Sequence, residues 1–139
     1  MRKVSTTPAV SVLWGIPGTA ESERLLPSTT PEFVGFLRQK GVTTLAPDFS
    51  PAQLAAPKGV WVLPILEAAN HLSIAVLGGF IVEFIKQSVK TARQPKAIQT
   101  VRIAINRQRA DGTIQQIRIE KPPDDAITWL AELDKILDD

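Results

Sequence analysis

The chain has 139 residues, of which 44% are apolar and 22% charged, so its length suits one globular domain and is too short for two. Its net charge of +2 is too small to indicate nucleic-acid binding, and we expect no nucleic-acid partner. The absence of cysteine excludes disulfides and thiol chemistry and fits a reducing, cytoplasmic compartment.

Residues 9–58 form a predicted β-α lead-in that follows a tail at residues 1–8. Residues 9–14 include β-branched and aromatic side chains and predict a strand, and their apolar run is too short for a secretory signal. Thr30, a residue type that caps helices, precedes a proline and a glutamate, which predicts a helix over residues 31–40. A second short strand and a proline-rich connector then lead to the centre of the chain.

The centre of the chain, residues 59–91, is a predicted apolar helical stretch. Residues 60–82 are 23 positions with a single formal charge, that of Glu67. A straight helix of this length spans a bilayer core of about 30 Å. Basic residues follow it, as expected beside a cytoplasmic membrane surface. The internal carboxylate, together with a proline, an asparagine and a histidine, offsets the gain from insertion, so insertion is marginal.

A second interpretation buries the same stretch in protein. Residues 60–63 are then a short strand or helix start that is broken near Pro64, and residues 72–90 are the main helix. Small residues cluster on this helix and allow another backbone to come close, within the fold or within an oligomer. The predicted helix-packing residues are Ala75, Gly78, Gly79 and Val82.

Residues 98–139 predict a β-β-α unit. Residues 100–106 alternate apolar and polar side chains, and an Asp-Gly turn signal leads to a return strand at residues 114–120. Ile114 is out of phase with the other isoleucines of this strand, which indicates a bulge or a wide turn. From Ala126 onward, apolar residues recur at helical spacing and predict one helix that covers the hairpin.

The predicted fold class is therefore α+β, in a single domain over residues 1–139. It combines a small mixed sheet, a C-terminal β-hairpin covered by a C-terminal helix, and a long central apolar helix.

Four pieces of the second half of the chain follow one another in a recognisable order: LSIAVLGGFIVEFIKQ, TVRIAIN, ADGTIQQIRIE and AITWLAELDKIL, within residues 72–137. This order resembles the effector-associated constant components encoded in bacterial conflict (immunity) systems. In that family a hydrophobic helix runs into basic residues and then into a strand–DG–strand–helix tail. The resemblance implies a small, non-enzymatic accessory or adaptor that assembles with effector or sensor partners. It implies no catalytic residues.

The sequence offers one arrangement with catalytic or metal-binding chemistry. Glu67 and His71 are four residues apart and share a face if their segment is helical, where they would bind a metal or move a proton. Zinc sites need three or four ligands, and no clustered set exists in the sequence. We interpret Glu67 and His71 as a buried or interface polar pair. We expect no enzyme activity, no cofactor and no metal.

Cations follow the central helix. They are a candidate basic surface for the phosphate groups of lipids or nucleic acid, although a solvated surface is the simpler interpretation. The residues concerned are Lys86, Lys90, Arg93 and Lys96.

The favoured function is an interaction or adaptor subunit. It assembles with itself or with partner proteins through the apolar helix, or through an open hairpin edge, in a bacterial defence system. The alternative is a single-span or peripherally anchored inner-membrane protein whose C-terminal β-β-α domain lies in the cytoplasm.

Overall fold

The computed structural model describes residues 8–17, 24–55, 59–90 and 99–136. These residues contain helices and a mixed sheet, which confirms the predicted α+β class. The helices are α1 (Thr30–Gln39), α2 (Ile74–Lys90), α3 (Pro123–Ala131) and α4 (Leu133–Ile136). The strands are β1 (Val10–Leu13), β2 (Leu26–Pro27), β3 (Thr44–Leu45), β4 (Leu54–Ala55), β5 (Val60–Val62), β6 (Ile65–Ala68), β7 (Thr100–Gln108) and β8 (Ile114–Lys121).

The main sheet has six strands, and β7 lies inside it. Neighbouring strands pair in the order β3, β1, β6, β7. The other edge of β7 pairs with β8. Both β5 and β6 run parallel to β7, with Val60 opposite Thr100 and Leu66 opposite Ile105. The difference in residue number between opposite residues changes by one from the β5–β7 pairing to the β6–β7 pairing. The connection between β5 and β6 therefore has one residue more than the facing part of β7. It contains Pro64, which has no N–H to donate to the sheet.

The central apolar stretch is therefore not one helix, and the description of residues 59–91 as helical is wrong for residues 60–68. These residues form β5 and β6, whereas helix begins only at Ile74. The second interpretation, with a short strand or helix start at residues 60–63 and the main helix over residues 72–90, matches β5 and α2. The apolar run has no periodicity that decides between strand and helix, and here β1 and β7 supply the pairing partners. Among the described residues, no helix has the length and apolar character needed to span a membrane.

The hydrophobic core lies between one face of the sheet and the helices. Phe84 of α2 is its aromatic centre, since its ring lies 5.1 Å from Phe33, 5.2 Å from Phe36 and 5.8 Å from Trp61, measured between centroids. The first two rings come from α1 and the third from β5. One residue of α2 thus joins a helix and a strand that are distant in sequence. Edge-to-face and tilted aromatic pairs of this kind add stability beyond the area they bury.

Two threonines attach the start of α1 to the strands before and after it. The Thr30 hydroxyl donates to the carbonyl oxygen of Pro27 at 2.7 Å, and the Thr29 hydroxyl donates to the carbonyl oxygen of Val62. Neither side chain caps an N–H group of the helix, so the prediction of Thr30 as a cap is wrong. Both hydroxyls instead satisfy carbonyl groups at the ends of β2 and β5.

The hairpin of β7 and β8 is continuous. Val101 is opposite Lys121 and Gln108 is opposite Ile114, with no residue left unpaired between them. The ladder therefore has no bulge at Ile114, but the alternative of a wide turn holds, since three residues lie between the bonded pair Arg109 and Thr113. Ile114 lies on the sheet face opposite the helices, and 51% of its surface is exposed.

Candidate functional site

Besides its packing in the hydrophobic core, helix α2 contacts other helices at two places that matter for the site, and the first is the end of α1. Lys40 Nζ lies 2.7 Å from Glu83 Oε2 and 5.4 Å from the centroid of the Phe36 ring. Lys40 therefore contacts both a carboxylate of α2 and an aromatic ring of α1. Both charged side chains are partly exposed, so the ion pair by itself stabilises the contact by only about 0.2–1 kcal/mol.

The second place is the contact of Gly78 with the C-terminal helices. An ideal Cβ atom at Gly78 would lie 3.0 Å from the carbonyl oxygen of Leu130 and 3.4 Å from Leu133 Cδ2. The predicted single C-terminal helix is two helices, because α3 ends at Ala131 and α4 begins at Leu133. Both leucines are buried against α2, whereas Ala131 and Glu132, which lie between them, are exposed.

The outward face of α2 is apolar in its first half. Ser73 precedes the helix, and its hydroxyl oxygen accepts a hydrogen bond from the N–H of Val76 at 3.4 Å. Ala75, Val76 and Gly79 are exposed, with 46% of Val76 accessible, and Phe80 is partly buried beside them. We call Ala75, Val76, Gly79 and Phe80 the α2 outer patch. It contains no ionisable group, so it can bind another apolar surface by excluding water but has no chemistry of its own.

The predicted helix-packing residues divide between the two sides of α2. Gly78 makes the internal contact described above, Val82 is partly buried, and Ala75 and Gly79 face outward. Neighbouring residues on a helix are separated by about 100°, so adjacent glycines point in different directions. Val76 was not among the predicted residues. The signal that identifies it is its spacing of three and four residues from Gly79 and Phe80.

Glu67 and His71 do not form the predicted buried polar pair. Glu67 lies in strand β6 and is partly buried, whereas His71 lies in the turn that precedes α2 and is exposed. The four-residue spacing places two residues on one face only in a helix, and this segment is not helical. No hydrogen bond or ion pair links the two side chains in the part of the chain that the structure describes.

The predicted basic surface is described only at its start. Lys86 is exposed on α2 beyond Glu83. The side chain of Lys90, and all of Arg93 and Lys96, lie outside the described residues. The first charged residue of α2 is Glu83, about one turn after the α2 outer patch ends at Phe80.

A groove of about 380 Å³ lies between α1 and residues 46–49. Arg38 and Asp48 line it, and Arg38 Nη2 donates to the carbonyl oxygen of Thr44 at 3.0 Å. This hydrogen bond ties the end of α1 to strand β3. Within residues 8–17, 24–55, 59–90 and 99–136, no group of three or more His, Asp or Glu side chains is placed to hold a metal ion.

Comparison with family models, with curated proteins and with solved structures found no match to this chain.

Proposed function

We propose that the protein is a non-enzymatic interaction subunit, and that its α2 outer patch binds an apolar helix of a partner protein. The observation that carries this proposal is the exposure of Val76 on a helix whose residues 74–82 include no charged side chain. A surface helix in a globular protein normally presents charged and polar residues to water. An outward face without them is typical of a binding surface.

The shape of the patch favours a helix as the occupant. Ala75 and Gly79 are four residues apart and form a low ridge, since neither carries a long side chain. Among the described residues, apart from its chain neighbours and the backbone of α2 itself, none comes within 4 Å of an ideal Cβ at Gly79, which leaves room for a second backbone to approach. Val76 and Phe80 are also four residues apart and would pack beside that backbone. A partner helix with an apolar face complements this arrangement of small and large residues.

The resemblance to the effector-associated constant components supports the same role. It implies an accessory protein whose partners are effectors or sensors of a bacterial conflict system. On this proposal the partner is encoded beside this chain, and both proteins act in the cytoplasm, which the absence of cysteine fits. The chain then contributes a rigid helix surface and performs no chemical step.

The test is reconstitution of the full chain with the proteins encoded by its neighbouring genes. A photo-crosslinking amino acid at position 76 should capture one of these proteins, and the crosslinked peptide should belong to an amphipathic helix. The substitution Val76→Glu should weaken the complex at least about tenfold, because it buries an unpaired carboxylate in an apolar contact.

The matched control is Gln39→Glu. It also adds one negative charge at an exposed helical position, but on α1 and outside the α2 outer patch. Both variants should unfold at the same temperature as the unchanged chain to within a few degrees. A complex that tolerates Val76→Glu contradicts the proposal. So does binding of the chain to phospholipid vesicles in place of any protein, which is the outcome that a peripheral membrane anchor predicts.

A further inference from the structure

Strand β8 is a long edge of the main sheet. It pairs with β7 over Ile114–Lys121, and within the part of the chain that the structure describes it pairs with no other strand. The opposite edge, β3, is only two residues long. Native sheets usually protect a long edge with charged side chains, a proline or a bulge, because unpaired backbone groups invite another strand. The strand β8 has no proline and no bulge, and its charged residues, Arg118, Glu120 and Lys121, are of both signs.

The hydrogen-bond pattern shows which residues of β8 are available at this edge. The N–H of Arg109 donates to the carbonyl oxygen of Thr113 at 2.9 Å. In an antiparallel ladder such pairs recur at every second residue, so odd-numbered residues of β8 bond to β7. The N–H and C=O groups of even-numbered residues point away from β7. Those residues are Ile114, Gln116, Arg118 and Glu120.

The side chains along the edge are self-complementary. Arg118 and Glu120 flank Ile119, and both are exposed on the sheet face away from the helices. If a second β8 pairs antiparallel about a two-fold axis at Ile119, Arg118 of each strand lies opposite Glu120 of the other. Opposite charges in directly facing positions stabilise a strand pair.

Antiparallel pairings of two β8 strands with the two-fold axis at a neighbouring residue do not place opposite charges across from one another. Residues opposite one another must share a sheet face, so the two-fold axis passes through a residue. An axis at Arg118 places two guanidinium groups opposite each other, which is destabilising. An axis at Ile117 leaves Arg118 opposite a glutamine and Glu120 opposite an isoleucine.

We propose that two copies of this chain pair antiparallel through β8, with the two-fold axis at Ile119. Arg118 and the partner subunit's Glu120 exchange two backbone hydrogen bonds and also form an ion pair, and the symmetric contact repeats both. Glu120 already binds Arg102, with Oε1 3.2 Å from Nε. A carboxylate accepts bonds from two guanidinium groups, so the internal pair is retained. This surface is distinct from the α2 outer patch, and the proposal does not depend on the proposed function.

The test measures the molar mass of the full chain by light scattering across a dilution series, and compares charge-reversed variants. The unchanged chain should be a dimer that dissociates on dilution. Arg118→Glu and Glu120→Arg should each raise the dissociation constant at least about tenfold, because each places like charges opposite one another. An equimolar mixture of the two variants restores both opposite-charge pairs and should form a heterodimer. Arg109→Glu reverses a charge that is also exposed but lies in the hairpin turn, outside the proposed contact between the two copies, and it should leave the dimer unchanged.

Amide hydrogen exchange tests the register. The amides of Arg118 and Glu120 should be protected only in the dimer, whereas those of Ile117 and Ile119 should be protected in every variant because they bond to β7. A chain that is monomeric at all concentrations overturns the proposal. A dimer that Arg118→Glu leaves intact, or that Val76→Glu alone disrupts, also overturns it, as does a variant mixture that fails to associate.

Discussion

Gly78 of α2 lies directly against the carbonyl oxygen of Leu130 at the end of α3, so that an ideal Cβ on Gly78 would be 3.0 Å from that oxygen. At the next residue, Gly79, an ideal Cβ would meet no atom within 4 Å from any other described part of the chain beyond its neighbours and the backbone of α2. Two adjacent glycines of one helix therefore serve different purposes. Gly78 lets α3 approach the backbone of α2, whereas Gly79 keeps the outward surface of α2 low.

This difference predicts opposite effects of two equivalent substitutions. Gly79→Ala should raise the free energy of unfolding by about 0.5–1 kcal/mol, because alanine favours helix over glycine and meets no neighbour. Gly78→Ala should lower the free energy of unfolding by roughly 1 kcal/mol, since displacing a backbone carbonyl costs more than helix propensity gains. Denaturant unfolding of both variants measures the two values. Equal stabilisation by both alanines would contradict the close approach of Leu130.

Arg102 links three segments of the chain. Its Nε and Nη2 atoms bond the Glu120 carboxylate at 3.2 and 3.3 Å, and its Nη1 donates to the carbonyl oxygen of Pro17 at 3.2 Å. Only 19% of the Arg102 side chain is exposed, compared with 60% for Glu120. We expect Arg102→Ala to lower the free energy of unfolding by about 1–2 kcal/mol, mainly through loss of the contact with Pro17.

The comparison variant for Arg102 is Glu120→Gln, which removes only the exposed ion pair. This substitution should lower the free energy of unfolding by less than about 1 kcal/mol. The loss of unfolding free energy in Arg102→Lys should lie between those of Arg102→Ala and Glu120→Gln. Lysine keeps the charge but lacks the planar guanidinium that reaches two partners. A loss in Glu120→Gln as large as that in Arg102→Ala would show that the bond to Pro17 contributes little.

The hairpin turn predicts a pH dependence. Asp111 accepts hydrogen bonds from the Thr113 hydroxyl at 2.6 Å and from its N–H at 2.9 Å, and these bonds hold the pKa of the Asp111 carboxyl below its ordinary value. Because the folded pKa is the lower one, the stabilisation is complete above the unfolded pKa of about 3.9 and is lost as the pH falls through the folded pKa. An NMR titration should find that the Asp111 carboxyl loses its proton at a pH below the usual range for aspartate. In Thr113→Ala the pKa should rise, and an unchanged value would contradict the role of the hydroxyl.

Several elements were predictable because their signals are local. The strand near residue 10, the helix that begins near Thr30 and the Asp-Gly hairpin each combine a periodic pattern with turn or helix-start residues. Gly112 has φ +91° in the turn, a conformation that glycine adopts without strain, which is why Asp-Gly is a reliable signal. The misplaced elements lack such signals. Residues 60–68 are apolar without a decisive period, and only their pairing with β1 and β7 makes them strands.

The candidate site was predictable in part. Small residues on the central helix indicated close packing, and Gly78 makes such a contact with α3 and α4. Which face of α2 remained open was not predictable, because that depends on where the other helices pack. The expected Glu67 and His71 pair fails for a related reason, since a four-residue spacing has structural meaning only after the segment is known to be helical.

The sequence by itself determined the α+β class, the hairpin turn and the lack of charge over residues 74–82, because composition, periodicity and turn chemistry are local properties. Only the tertiary structure decided that the apolar stretch is divided into two strands and a helix, that Gly78 is covered while Gly79 is open, and that β8 is an edge. Strand pairing and helix packing join residues far apart in the chain, and the free energy of those long-range contacts selects among conformations that the local sequence leaves nearly equal.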